Sequence, residues 1–308
     1  MAKERRPAAD YAVYLVVRLV VCVLQALPPW PADAFARGLA WLAYRVDKRH
    51  REVARGNLRH AFPDWSDAAI DATVRQVYRH FCTMIVELVQ IPRKMHIHNW
   101  GDYIHLVHGD RVVRGLTDRR PLLFVTGHFG NWEMAGYALG MFGFRTSAVA
   151  RRLDNPHLDR FLKRFRQGTG QAILDKNADY ERIQQVLRDG GALAMLADQD
   201  AGPRGLFVDY FGRPASTFKS IALLSLEYDA PLIVMGVPKV GEPMRYDVVA
   251  EEVLDPRDYA SERDPAKAMT QRYTAALERL VRRAPGQYFW LHRRWKHAPP
   301  AKKAKKAA

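Results

Sequence analysis

Residues 122–136, LLFVTGHFGNWEMAG, place a histidine and a glutamate where an apolar run passes through two glycines into a helical stretch. Five residues along one α-helix turn through about 500°, leaving two side chains roughly 140° apart, so His128 and Glu133 cannot pair if both sit on the helix. With His128 on the preceding loop, Gly127 and Gly130 allow a tight turn, Asn131 caps the helix, and Glu133 falls in its first turn. There the carboxylate suits the helix dipole and can reach back to the imidazole. Such a pair has a defined use. The carboxylate holds one ring tautomer and opposes the imidazolium charge, while the other ring nitrogen takes a proton from a bound hydroxyl. No serine or cysteine nucleophile is then needed, and the chain has no G-x-S-x-G elbow; Ser216 and Ser220 read as helix-cap or packing residues. One imidazole and one carboxylate make a poor metal site. On spacing alone, a histidine that merely ties down its loop fits as well as a base.

The scaffold can be read from periodicity. PLLFVTG, TSAVA, ALAMLAD, PLIVMGVPK and YDVVAEEV are short β-rich runs, and helical segments follow most of them. That alternation predicts an α/β sheet, and in such sheets ligands gather at the carboxyl ends of strands. Three of those ends are polar: Thr126, Gly127 and His128 at the first; Arg151 and Arg152 at the second; Asp198, Gln199 and Asp200 at the third. Ahead of the sheet, residues 34–95 are helical in pattern, with a break at Pro63 and Ser66 placed to cap the helix that follows.

The N-terminus carries an apolar stretch from Tyr11 to Leu27 with Arg18 in its middle and prolines after it. It is short and costly for a membrane span, and Arg18 interrupts any signal-peptide core. The pattern predicts an uncleaved membrane-associated helix whose arginine snorkels to the interface; a buried helix of a soluble core is the competing reading. Lys plus Arg number 48 against 33 Asp plus Glu, a formal charge of +15, which points to nucleic acid, acidic lipid or acidic protein. The HRRWK segment and terminal KKAKK would suit nucleic acid, but no nucleic-acid motif accompanies them. Cys22 and Cys82 are far apart and lack metal-ligand spacing, so neither a disulfide framework nor a zinc site is suggested.

GHFGNWEMAG resembles the H-x-x-x-x-[DE] block of glycerolipid-type acyltransferases, in the version of the bacterial lipid A late acyltransferase family, which includes lauroyl and myristoyl transferases. NLRHAFPDWS, RRLDNPHLDRFLKRFR, LADQDAGPRGLFVDYFGRPAST and WLHRRWKH extend the resemblance in family order over most of the chain. It implies one α/β acyltransferase domain at 33–298, with a mixed central sheet flanked by helices. A membrane-associated helix at 1–32 precedes it and a basic tail at 299–308 follows. It further implies acyl transfer from a thioester, usually on acyl carrier protein and otherwise on coenzyme A, to a hydroxyl of a phosphorylated glycolipid, a lipid A precursor. The place implied is the cytoplasmic face of the inner membrane, with no metal or cofactor and no nucleic acid. His128 and Glu133 carry over as the catalytic dyad. Arg151, Asn155, Arg164 and Asp198 carry over as substrate-binding or site-organising residues, whereas Arg152 and Arg166 fit surface ion pairs equally well. After RPAST, relatives typically continue with a Pro- and Gly-containing turn; here the chain reads FKSIALLSLEYDAP, a departure that bears on acyl length and acceptor. Another glycolipid acceptor, such as a phosphatidylinositol mannoside, is the nearest alternative.

Overall fold

The structure is a computed structural model describing residues 7–150, 152–175, 179–241 and 243–300. Arg151 and residues 301–308, most of the basic tail, therefore lie outside the described residues. Four helices open the chain: α1 (Pro7–Ala26), α2 (Pro29–Val46), α3 (Lys48–Ala61) and α4 (Asp67–Lys94). The prolines after Leu27 close α1 and start α2, so the expected boundary at residue 32 falls inside α2. Ser66 caps α4 by accepting from the Ala69 amide.

The rest alternates: β1 (Ile104–Val107), α5 (Gly109–Thr117), β2 (Leu122–Thr126), α6 (Trp132–Met141), β3 (Thr146–Ala150), α7 (Pro156–Gln167), β4 (Ala172–Asp175), α8 (Tyr180–Arg188) and β5 (Ala192–Leu196). Then come the β6 (Leu206–Tyr210) and β7 (Arg213–Thr217) hairpin, α9 (Ser220–Glu227), β8 (Leu232–Gly236), β9 (Tyr246–Leu254) and α10 (Pro265–Arg283). One seven-stranded sheet has the order β1-β9-β8-β2-β5-β3-β4. Its neighbours are parallel except β8 and β9, so the expected mixed sheet is present.

β2 and β8 are central and covered on both faces, which is why LLFV and LIVMG are unbroken apolar runs rather than alternating ones. One core lies between the sheet and α4, α9 and α10; a second packs α6 and Ile91 and Met95 against the other face. Asn57 on α3 donates to the carbonyls of Trp290 and His292 at 2.7 and 2.8 Å, joining two of the blocks noted in the sequence. All of this holds the carboxyl ends of β2 and β5 side by side.

Candidate active site

β2 and β5 pair in parallel with Thr126 opposite Leu196, and the Ala197 amide still donates to the Thr126 carbonyl at 2.8 Å. His128 and Asp198 each lie two residues beyond that last pair, so the strand register itself makes them neighbours. His128 Nδ1 lies 2.8 Å from Asp198 Oδ1, and the His128 amide donates to Oδ2 at 2.7 Å. One carboxylate thus fixes both the backbone and the ring of the histidine. The approach is close because residue 127 is glycine: a Cβ there would meet Asp198 Oδ2 at 3.1 Å.

The loop after His128 is pinned from three sides. Gly130 donates to the Gln287 carbonyl at 3.0 Å, Asn131 to the Val237 carbonyl at 2.7 Å, and Phe289 to the His128 carbonyl at 3.0 Å. From α4, buried His80 lies with Nε2 3.1 Å from the Gly130 carbonyl. Burial pushes that imidazole down to about 4, so it is neutral at physiological pH and Nε2–H is the donor. Gly130 sits at φ +60°, and a Cβ would run into the Val237 carbonyl. Gly130→Ala should therefore exceed the ~1–2 kcal/mol of a left-handed residue alone, with a lower Tm by thermal melt as the check.

Asn131 caps α6 as expected, accepting from the Met134 amide, and Glu133 is in the first turn. The reach of Glu133 back to the imidazole is not formed. Arg166 on α7 holds Glu133 instead, with Nε donating to Oε2 at 2.8 Å and Nη2 to Oε1, and Trp132 Nε1 adds a bond at 3.2 Å. The imidazole's bonded carboxylate is Asp198, because β5 delivers it directly beneath the ring whereas α6 turns Glu133 toward α7.

Charge follows this arrangement. Burial would lower the His128 imidazole, but the Asp198 charge and hydrogen bond, with Glu133 adding from farther away, hold it above the ordinary histidine value. Burial would raise Asp198, yet His128, by charge and hydrogen bonds, and then the Arg294 charge hold it below the usual carboxylate range. Arg294 is itself buried and donates to the Ser216 carbonyl and Thr217 Oγ1 at the end of β7.

A cavity of about 490 Å³ opens at His128. Trp132, Leu162, Arg166, Ile183, Leu196, Phe218, Ile221 and Leu224 are among its walls, so it is mostly apolar, with one imidazole and one guanidinium among the described residues. The FKSIALLSLEY segment supplies the wall formed by Phe218 and α9.

The other expected site residues divide. Asn155 caps α7 and its Nδ2 donates to the Asp10 carbonyl of α1 at 2.8 Å, a structural tie rather than a cavity contact. Arg164 is on the exposed face of α7, and Arg152, itself exposed, pairs with the largely covered Asp175 at 2.9 Å. Arg166, which the sequence left equally open as a surface pair, lines the cavity; Leu162 and Arg166 at i and i+4 are the signal that could have shown it. Arg294 was not singled out, since HRRWK stands in the sequence only as a basic segment and as part of the WLHRRWKH block.

The family model described as bacterial lipid A biosynthesis acyltransferase matches residues 2–297. A lipid A biosynthesis palmitoleoyltransferase of Escherichia coli (strain K12) is 24% identical over 276 residues, 88% of this chain and 87% of that one. A lipid A biosynthesis lauroyltransferase of the same organism is 26% identical over 269 residues, 85% and 84% of the two chains. A phosphatidylinositol mannoside acyltransferase of Mycolicibacterium smegmatis (strain ATCC 700084 / mc(2)155) is 24% identical over 216 residues, 68% of this chain and 69% of that one.

Proposed function

Because the chain belongs to the bacterial lipid A biosynthesis acyltransferase family, we propose that it moves a fatty acyl group from a thioester to a hydroxyl of a lipid A precursor. The donor we favour is acyl carrier protein, with acyl-coenzyme A second, since the +15 chain attracts an acidic carrier and a phosphorylated acceptor alike. The proposed place is the cytoplasmic face of the inner membrane, reached through α1, a 20-residue helix of mean hydropathy 1.8 that is largely uncovered by the protein.

The observation that carries the reading is the His128–Asp198 pair at the mouth of an apolar cavity. With Nδ1–H given to Asp198, His128 Nε2 accepts the acceptor's hydroxyl proton as its oxygen attacks the thioester carbonyl carbon. The carbonyl π bond opens to an oxyanion, then re-forms as the C–S bond breaks, and the imidazolium returns its proton to the leaving thiolate. No acyl-enzyme forms. Asp198 stabilises the imidazolium. Glu133 keeps a catalytic role by fixing Arg166 and adding negative charge near the ring, and Arg166 opposes the oxyanion or an acceptor phosphate.

The acyl chain is assigned to the cavity, where each methylene is worth about 0.8 kcal/mol. Phe218→Ala should therefore shift preference toward donors two carbons longer by roughly 10-fold, on the order of 1.6 kcal/mol for two methylenes. Competition between donors of different length reads this directly; an unchanged length profile in a folded variant would remove the chain from this cavity. The reaction itself is tested by mass spectrometry of lipids from cells with and without the gene. One added acyl mass on a lipid A precursor supports the proposal, and the same gain on a phosphatidylinositol mannoside would move it to the other acceptor.

A further inference from the structure

The exposed apolar side chains of this protein are concentrated in one place. Of the twenty-two large apolar residues exposed among the described residues, thirteen are on α1 and α2. On α2 the usual partition is inverted: Ala32, Ala36 and Ala40 are buried, whereas Trp30 and Trp41 are 74% and 62% exposed. Phe35, Leu39, Leu42 and Val46, at i, i+4, i+7 and i+11, form one uncovered stripe. An exposed apolar patch of this extent marks a contact surface.

α1 is tied to the body at both ends. In its first turn the Asp10 carbonyl accepts from Asn155 on α7, and the Tyr11 and Tyr14 rings pack on His157. In its middle the Arg18 guanidinium sits over Phe161 at 5.0 Å. At its end Gln90 on α4 donates to the carbonyls of Leu24 and Leu27 at 2.9 and 3.0 Å. A helix of 20 residues is about 30 Å long. Crossing a bilayer would strip one set of these contacts and place Arg18 near the hydrocarbon centre.

We propose that α1 lies in the plane of the membrane without crossing it, and that α2 lies beside it as a second lipid-binding helix, the two forming a monotopic face for an anionic leaflet. Exposed Arg45 in the last turn of α2 and Lys48 and Arg49 at the start of α3 supply the charge complementarity, and the two tryptophans suit the headgroup level. Because α1 packs on α7, which carries Arg166 and Leu162 of the cavity, this face sets the cavity close to the lipid from which an acceptor would come. The inference deepens the membrane attachment proposed above, and its tests do not read acyl transfer.

The first test is flotation of the full chain with phosphatidylethanolamine vesicles, with and without phosphatidylglycerol. Binding should require the anionic lipid, and combined Phe35→Ser, Leu39→Ser and Leu42→Ser should weaken it at least ~10-fold, with an unaltered thermal melt. Wild-type binding by that variant would exclude α2 from the lipid face. A dimer in detergent-free sedimentation that fails to bind vesicles would mean that a second copy covers the face, and would also overturn the proposal. The second test uses the full chain with Cys22→Ser and Cys82→Ser, carrying either Ala8→Cys or Ala26→Cys, in right-side-out and inverted membrane vesicles. An impermeant maleimide should label both positions from the same side; labelling from opposite sides would show a spanning helix.

Discussion

Replacing His128 with alanine is expected to lower kcat by about 10²- to 10⁴-fold with little change in substrate affinity. A hydroxyl attacks a thioester poorly unless its proton leaves as the bond forms, and the described cavity wall has one imidazole to take it. The histidine is preset for that work: Asp198 holds its ring and amide at 2.8 and 2.7 Å, and Trp132 packs edge-on to it with ring centroids 5.0 Å apart. The substitution removes a ring without disturbing the Asn131 cap or the Gly130 turn, so the protein should melt normally. Steady-state transfer by the purified variant, followed beside such a melt, decides the matter. A folded variant with near-normal kcat would make His128 a loop residue and the mechanism proposed here untenable.

His128, Asn131 and Asp198 were each legible as strand-end or cap residues, because His128 and Asp198 follow apolar runs and Asn131 precedes a helical stretch. Their pairing was not legible. That His128 meets Asp198 rather than Glu133 depends on β2 and β5 being adjacent parallel strands, a contact between residues 70 apart that local periodicity cannot report. The five strands read from the sequence are present, but β1 and β4, four residues each at the sheet edges, were too short to stand out. The β6–β7 hairpin escaped for a different reason. Its turn puts Phe211 at φ +55° beside Gly212 at +72°, and phenylalanine is not a residue that signals a left-handed turn. Arg152 and Arg166 show the same limit: both are arginines near acidic partners, and only the fold leaves Arg152, in the loop after β3, reaching solvent while α7 carries Arg166 into the cavity.

Asp198→Asn is expected to be nearly as damaging as loss of the histidine, with kcat down by about 10³- to 10⁴-fold, because it should reverse the tautomer. The asparagine oxygen can still accept from the His128 amide, which keeps the loop in place. Its amide then donates to Nδ1, moving the ring proton to Nε2, where the base must be unprotonated. The pH profile separates this from a general loss of structure. A base acts in its neutral form, so wild-type kcat/KM should rise with pH through the imidazole pKa, which Asp198 holds above the ordinary value against the opposing pull of burial. Without that carboxylate charge, burial is left to lower the pKa, and the acid limb should move to lower pH. Glu133→Gln should behave differently. Its carboxylate is bonded to Arg166 and contributes less to the imidazole, so the limb should move little while the hold on Arg166 loosens and turnover slows. If the Glu133 variant instead shifts the limb and loses as much activity as His128→Ala, while Asp198→Asn stays within a few-fold of wild type, Glu133 is the orienting carboxylate in the working enzyme.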